Sequence, residues 1–282
     1  MQFDFWRGPL ARFGTPVSRV GLSATYRPGR ETVWKALDEG LNYFLYFGFD
    51  NHMTGVLREA LRGGRRDQVV LATGAYNWIV WHQPLRQTLE RRLRQLGTDY
   101  IDIFHFLGVT RRKHLTPRVR DELQAVRESG LVRGVSISTH DRSLATELVR
   151  DGVLDAMMVR YNCAHRGAET EIFPHLPASD PAVISFTATC WTQLLRRARG
   201  YPKDGRLPTA GMCYRFVMSN PAVNVCLMAP ANLRQFQQNL AEIRQGPLSD
   251  DDMKFMRDYG DVVYGRRKIK VDAANGRPQV TG

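Results

Sequence analysis

The feature that most constrains this chain is a repeating alternation. Short runs rich in β-branched and aromatic residues are each followed by a longer stretch whose apolar side chains recur at helical spacing, a pattern that implies parallel strands joined by crossover helices. Eight runs read as strands: Ser18–Ser23, Tyr43–Tyr46, Val69–Thr73, Tyr100–Phe106, Arg133–Ser138, Ala156–Tyr161, Ala182–Thr187 and Asn224–Met228. The helical stretches include Glu31–Glu39, His52–Leu61, Leu85–Leu96, Arg118–Glu128, Ser143–Val149, Thr209–Met218 and Leu233–Arg244, with a weakly patterned one near Glu169–His175. Gly40, Gly130 and Gly152 each follow a helical stretch where a left-handed cap is expected.

Eight strand-helix units in one chain of 282 residues fit a closed (β/α)8 barrel better than an open doubly wound sheet, because no Gly-rich dinucleotide turn follows the first strand. No linker divides the sequence, so residues 1–264 are expected to form a single domain. Within it Met1–Pro16 should make a hairpin or plug under the barrel, and Ser249–Tyr259 one extra helix. The segment 265–282 carries clustered charge and few apolar residues, and is expected to be a basic tail without a fixed place.

Four widely spaced cysteines, Cys163, Cys190, Cys213 and Cys226, form no CxxC pair, which argues against a disulfide framework and against a zinc site. No run approaches the roughly 18 apolar residues of a membrane span, and the first residues lack a signal-peptide core, so a cytoplasmic location is expected. The formal net charge is +12. Its basic clusters, such as Arg62–Arg66 and Arg196–Arg199, lie on different elements and lack interleaved aromatics, which disfavours nucleic acid and leaves either an anionic small-molecule substrate or simply a solvated basic surface.

Four stretches carry a resemblance to a known family: Gly40-Leu41-Asn42-Tyr43-Phe44, Leu96-Gly97-Thr98-Asp99-Tyr100-Ile101-Asp102, Gly130-Leu131-Val132-Arg133 leading to Ser136-Ile137-Ser138, and Leu227–Asn239 with its Gln235 and Asn239. In order and spacing they resemble aldo-keto reductases over roughly Ser18 to Arg244. The resemblance implies a TIM-type barrel with its site at the C-terminal strand ends. It also implies carbonyl reduction with NADPH by an Asp, a Tyr acid, a Lys and a His.

Traced onto this sequence, those four positions read Leu45, Asp50, Gly74 and Leu107 in turn. All four differ from the family. A buried Asp stripped of its Lys would cost about 3–5 kcal/mol, and here both charges are gone together, consistent with a reshaped pocket or with an inactive barrel that relaxed to apolar filling.

Other polar residues then become candidates. Strand parity places His105 on the same face as Leu107 and one layer deeper, and Arg160 on the same face as Met158. A buried guanidinium needs an acceptor or an anionic ligand. Asp50 with nearby His52 could form an acid-base pair, although both types are also common at helix caps. Aromatic residues of 76–82 offer pocket walls, Arg111, Arg112 and Lys113 a surface charge run, and Cys190 a thiol without an evident base. For the cofactor, the resemblance assigns Ser138 and Phe186 to the nicotinamide and Arg234, Gln235 and Asn239 to the adenosine phosphate. Met158 in place of a Gln and Ala229 in place of a Lys imply weakened NADP(H) binding. Three functions remain open: a small-molecule enzyme of non-redox or altered chemistry, such as an isomerase, lyase or cyclase, using Asp50, His105 or Arg160; a nicotinamide-dependent oxidoreductase with another proton donor; and a non-catalytic binding protein.

Overall fold

The alternation resolves into a closed barrel. The computed structural model describes residues 4–76, 83–265, 268–271 and 278–281. An antiparallel hairpin comes first, β1 (Arg7–Pro9) with β2 (Pro16–Ser18). There follow β3 (Val20–Ser23), α1 (Arg30–Asp38), β4 (Tyr43–Leu45), α2 (Asn51–Arg62), β5 (Val70–Tyr76), α3 (Leu85–Leu96), β6 (Ile101–Val109) and α4 (Pro117–Glu128). Next are β7 (Val132–Thr139), α5 (Arg142–Arg150), β8 (Ala156–Arg160), α6 (Ala168–Glu171), β9 (Ala182–Phe186), α7 (Ala210–Met218), β10 (Val225–Met228), α8 (Leu233–Ile243) and α9 (Asp250–Tyr264). A second antiparallel pair, β11 (Lys268–Val271) with β12 (Pro278–Thr281), lies in the segment expected to be a tail. Strands β3 to β10 pair in sequence order, all parallel, and β10 closes on β3.

The helices form where apolar spacing and caps coincide. α2 buries Met53, Val56, Leu57 and Ala60, and α8 buries Phe236, Leu240 and Ile243, each set recurring at three- or four-residue steps. Burying one such large side chain contributes about 1.5–3 kcal/mol. Thr116, Asp141, Thr209, Asn232 and Ser249 each accept a backbone N–H of the first turn they precede, worth about 1 kcal/mol apiece. Gly40, Gly130 and Gly152 adopt φ of 83°, 72° and 65°, the left-handed conformation expected of them.

The N-terminal end of the barrel is closed by structural ion pairs. Asp102 accepts the Leu71 N–H and pairs with Arg66 at 2.9 Å and Arg133 at 3.2 Å. Asp155 accepts the Val135 N–H and pairs with Arg127 at 2.6 Å. The hairpin is tied on by Arg133, which donates to Thr15 Oγ1 and to the Phe13 carbonyl. Part of the basic excess is therefore spent on holding the fold.

Two elements differ from the sequence reading. β6 runs on to Val109, and its register with β7 shifts between Phe106 and Val109, where Gly108 has φ +80°; such a bulge bends the strand end and frees an N–H from the ladder. The stretch near Glu169–His175 gives only the four-residue α6 followed by a 3-10 turn, Phe173–Ala178. Pro174 and Pro177 remove the donors a longer α-helix would need.

Candidate active site

A pocket of about 300 Å³ opens at the C-terminal ends of the barrel strands, where catalytic residues collect in this architecture. Its walls are unlike one another. Over β4 to β6 the lining is Leu45, Phe47, Tyr76 and Leu107, all apolar except for one phenol. Over β7 to β9 it is Ser138, His140, Met158 and Phe186, continued by Thr187–Thr189 and Trp191. Another cavity, of about 380 Å³, lies at the opposite end between the hairpin, α1 and the end of α2, lined by Arg7, Asn42, Arg65 and Asp67 among others. Arg7 there donates to the Gly40 carbonyl and Asn42 to that of Pro16, so its polar groups brace the closed end of the barrel.

The β6 bulge shapes the polar wall. Freed from the ladder, the Gly108 N–H donates to Ser138 Oγ at 2.8 Å, which leaves the hydroxyl proton of Ser138 to be donated elsewhere. Two residues on, the His140 ring packs edge-on against Phe186, centroids 5.3 Å apart. Burial against that ring lowers the His140 pKa, although part of its surface faces solvent, and the positive charge of Arg160 lowers it further. The imidazole is therefore neutral at physiological pH.

Arg160 ends β8 opposite Phe186 in register, and residues in register on neighbouring strands share a face. It is half-buried, its charge acts on both His140 and Cys190, and it makes no hydrogen bond or ion pair with any described residue. It is not among the residues that line the pocket, although its register neighbour Phe186 is.

The other two candidate catalytic residues are occupied or sealed. Asp50 is the N-cap of α2: its carboxylate accepts the N–H groups of His52 at 3.1 Å and Met53 at 3.3 Å, and it is absent from the pocket lining. His105 lies inside the barrel with Tyr43 Oη 3.5 Å from Nε2, while Nδ1 has no partner among the described residues. Burial alone pushes its pKa down to about 3. Parity gave its direction correctly, but the layer above closes it off from the pocket.

Of the positions matched with the family tetrad, Leu45 and Leu107 line the pocket and Gly74 pairs with His105 in the ladder. A Cβ on Gly74 would come within 2.1 Å of the His105 carbonyl oxygen. No side chain fits there without moving the backbone.

Cys190 acquires a neighbour that its sequence context did not reveal: His165 Nδ1 lies 3.7 Å from its sulfur. Asn162 decides what that nitrogen does. Its Oδ1 accepts the N–H groups of Ala164 and His165 while its Nδ2 donates to the Thr187 carbonyl, so the oxygen 3.2 Å from Nδ1 is an acceptor and Nδ1 must carry the proton. His165 is thus a donor toward the sulfur, not a base for the thiol. Burial raises the Cys190 pKa against the opposing pull of Arg160. The surrounding loop is held in unusual geometry, with Thr187, Cys190, Trp191 and Thr192 at φ of 59°, 51°, 54° and 66°, a conformation that costs non-glycine residues about 1–3 kcal/mol each and persists where packing enforces it.

Among the residues the resemblance assigned to a cofactor, Ser138 and Phe186 line the pocket. Gln235 accepts the Ala231 N–H through its side chain and donates its own N–H to Asn232 Oδ1. Arg234 is exposed and Asn239 is buried at the inner face of α8. Residues 77–82 lie outside the described residues; of that aromatic stretch Tyr76 lines the pocket. Arg112 pairs with Glu147, which leaves the Arg111–Lys113 run on the surface. His140 was missed by sequence reading, although the same parity that selected Arg160 was available: it stands two residues beyond Ser138 at the end of a strand.

Comparison with known proteins fits this geometry. Residues 28–195, more than half of the chain, match the sequence model of the aldo/keto reductase family. The structure resembles the holo form of aldo-keto reductase AKR11C1 from Bacillus halodurans, with a TM-score of 0.73 and 20% identity over 90% of this chain and 95% of that one. It also resembles PA4992 from Pseudomonas aeruginosa, assigned to the aldo-keto reductases, with a TM-score of 0.66 and 20% identity over 85% of this chain and 94% of that one. A search of curated proteins gave no match. No helix among the described residues is long and apolar enough to cross a membrane, and no group of His, Cys, Asp and Glu among them could hold a metal ion. The closed eight-strand barrel, the pocket at its C-terminal end and the matched sequence together place this chain in the aldo/keto reductase family.

Proposed function

We infer that the pocket binds a small molecule and acts on it without the family's hydride-transfer machinery, by moving a proton at a carbon beside a carbonyl, as an isomerase or lyase does. One observation carries this reading: a hydroxyl and an imidazole, Ser138 and His140, line the pocket together at the end of β7, while two of the positions matched with the family's catalytic tetrad line it as Leu45 and Leu107. In this reading His140, neutral because its pKa is lowered, takes the proton. The Ser138 hydroxyl donates to the substrate carbonyl, its own acceptor site being filled by Gly108. Arg160 stabilises the negative charge that builds up, a role suited to a guanidinium with no carboxylate partner among the described residues. The roles first considered for Asp50 and His105 are set aside here, since one carboxylate caps α2 and the other group is sealed in the core.

The nicotinamide reading is supported by one pair of residues and opposed by the rest. Phe186 offers an aromatic face and Ser138 a hydroxyl. Met158, however, lines the pocket with a thioether that cannot hold a carboxamide, and the side-chain carbonyl of Gln235 is spent on Ala231. As a set these residues do not fit NADP(H).

The test is deuterium incorporation from D2O into enolisable keto acids, followed by proton NMR with no nicotinamide present. Wild type should exchange the α-proton, and His140→Gln should be slower by about 10²–10⁴-fold. The exchange rate should hold to a lower pH than a free imidazole would allow, because the His140 pKa is lowered. Absence of exchange across the panel, or an unaltered rate in His140→Gln, contradicts the reading.

A further inference from the structure

We propose that the ligand of this pocket is a planar aromatic acid, its ring clasped by the aromatic mouth and its carboxylate held by Arg160. This deepens, and rests on, the assignment of the pocket as a small-molecule site. Three independent features converge on it.

The first is the mouth. Tyr26 and Trp191 both line the pocket, yet they are 47% and 56% exposed. Large aromatic side chains left in water at a cavity entrance represent apolar area still to be covered. Phe47 continues the wall inward, with Phe49 stacked on it at 5.4 Å, and Phe186 stands opposite. Trp191 is not loosely placed: its own backbone and both neighbours are left-handed, and the Thr187 carbonyl of the same loop is bonded by Asn162 and by the Cys190 N–H at 2.8 Å each. Rigid aromatic faces recognise flat bodies because offset and edge-on ring contacts add to simple area burial.

The second is charge. No Asp or Glu among the described residues lines the pocket. Arg160, in register with the pocket-lining Phe186, has neither a hydrogen bond nor an ion pair with a described residue, and its charge acts on His140. A half-buried guanidinium in that position favours an anion, and a carboxylate matches its planar fork with two parallel hydrogen bonds.

The third is the apolar part of the lining. Leu45, Leu227 and Ala229 offer no donor or acceptor side chain and Met158 only a weakly accepting thioether, so the flat apolar body of the ligand lies over them and its anionic end is turned toward β8.

Isothermal titration with 2-naphthoate, 2-naphthamide and acetate separates the elements of this claim. At pH 7.5, 2-naphthoate should bind about ten- to a hundredfold tighter than 2-naphthamide, the amount expected of a charge-assisted pair. Arg160→Met should erase that preference while leaving the amide's affinity within about twofold, and Arg160→Lys should keep part of it. Because Arg160 makes no bond to a described residue, the melting temperature should not move, so a lost preference cannot be ascribed to unfolding. Trp191→Ala should weaken acid and amide alike, and acetate should bind too weakly to detect. Equal affinity of acid and amide, a preference that survives Arg160→Met, or acetate binding comparable to 2-naphthoate overturns the proposal. The two readings fail separately: Arg160-dependent binding without any proton exchange would leave the ligand class standing and remove the catalysis, and His140-dependent exchange of neutral ketones alone would do the reverse.

Discussion

The two walls of the pocket are built on the same barrel and by the same strand geometry, yet they differ in what they present. From β4 to β6 the strand ends carry Leu45, Phe47, Tyr76 and Leu107; from β7 to β9 they carry Ser138, His140 and Phe186, with Arg160 at the end of β8. The apolar wall has also closed up physically, since Gly74 leaves no room for a side chain beside the His105 carbonyl. On the other wall the β6 bulge turns the Gly108 N–H onto Ser138. The two walls thus differ in backbone as well as in side chains.

The strongest way to break this contrast is to put charge back on the apolar wall. Leu45 is fully buried, and Leu45→Asp should cost about 3–5 kcal/mol in denaturant unfolding at pH 8, where the new carboxylate must stay ionised without a partner. The loss should shrink at pH 5 as burial lets the group protonate. Adding Gly74→Lys should worsen stability rather than repair it, given the 2.1 Å approach of any Cβ there. Unchanged stability in Leu45→Asp would mean that the wall is wet and still suited to charge.

A smaller effect sharpens the distinction between the core and the polar wall. His105 has its pKa pushed from 6.5 to about 3 by burial. Below pH 6.5 the unfolded chain binds the proton first, so stability falls as pH drops and continues to fall until the folded pKa is reached. At pH 4.5 the loss should be about 2–3 kcal/mol relative to pH 7.5. His105→Leu should flatten that part of the pH profile of the unfolding free energy, whereas His140→Gln should leave it almost unchanged. A slope that persists in His105→Leu would place the acid sensitivity elsewhere.

Smallest is the expected effect of Asp50→Ala. As the cap of α2 it should contribute about 1 kcal/mol to stability and little to turnover, while Asp50→Ser should recover most of the loss. A rate falling by orders of magnitude with unaltered stability would return Asp50 to the active site.

How much of this could be read from the sequence follows the physics of each signal. The alternation of strand-like and helical runs carried the fold and the eight-strand order, and strand parity set the face on which His105 and Arg160 were expected, because both periods survive without tertiary knowledge. It could not tell that His105 sits under a closed layer, since depth depends on neighbouring strands. The bulge at Gly108 was invisible for the same reason: one extra residue in β6 shows only against β7. Asp50 followed by Asn51 and His52 reads equally as a cap and as an acid-base pair until α2 is seen to start there. The proximity of Cys190 to His165 spans two loops and had no local trace.

The measurement that bears most directly on the central claim is NADPH consumption with a panel of simple aliphatic and aromatic aldehydes, followed at 340 nm with purified protein. If, as proposed, Leu45, Asp50, Gly74 and Leu107 stand at the four matched positions, no Tyr–Lys pair protonates a developing alkoxide, and turnover should lie at least about 10²–10⁴-fold below that of a reductase with an intact general acid. Robust aldehyde reduction would contradict the account, showing that another group on this barrel has taken over the proton donor's role.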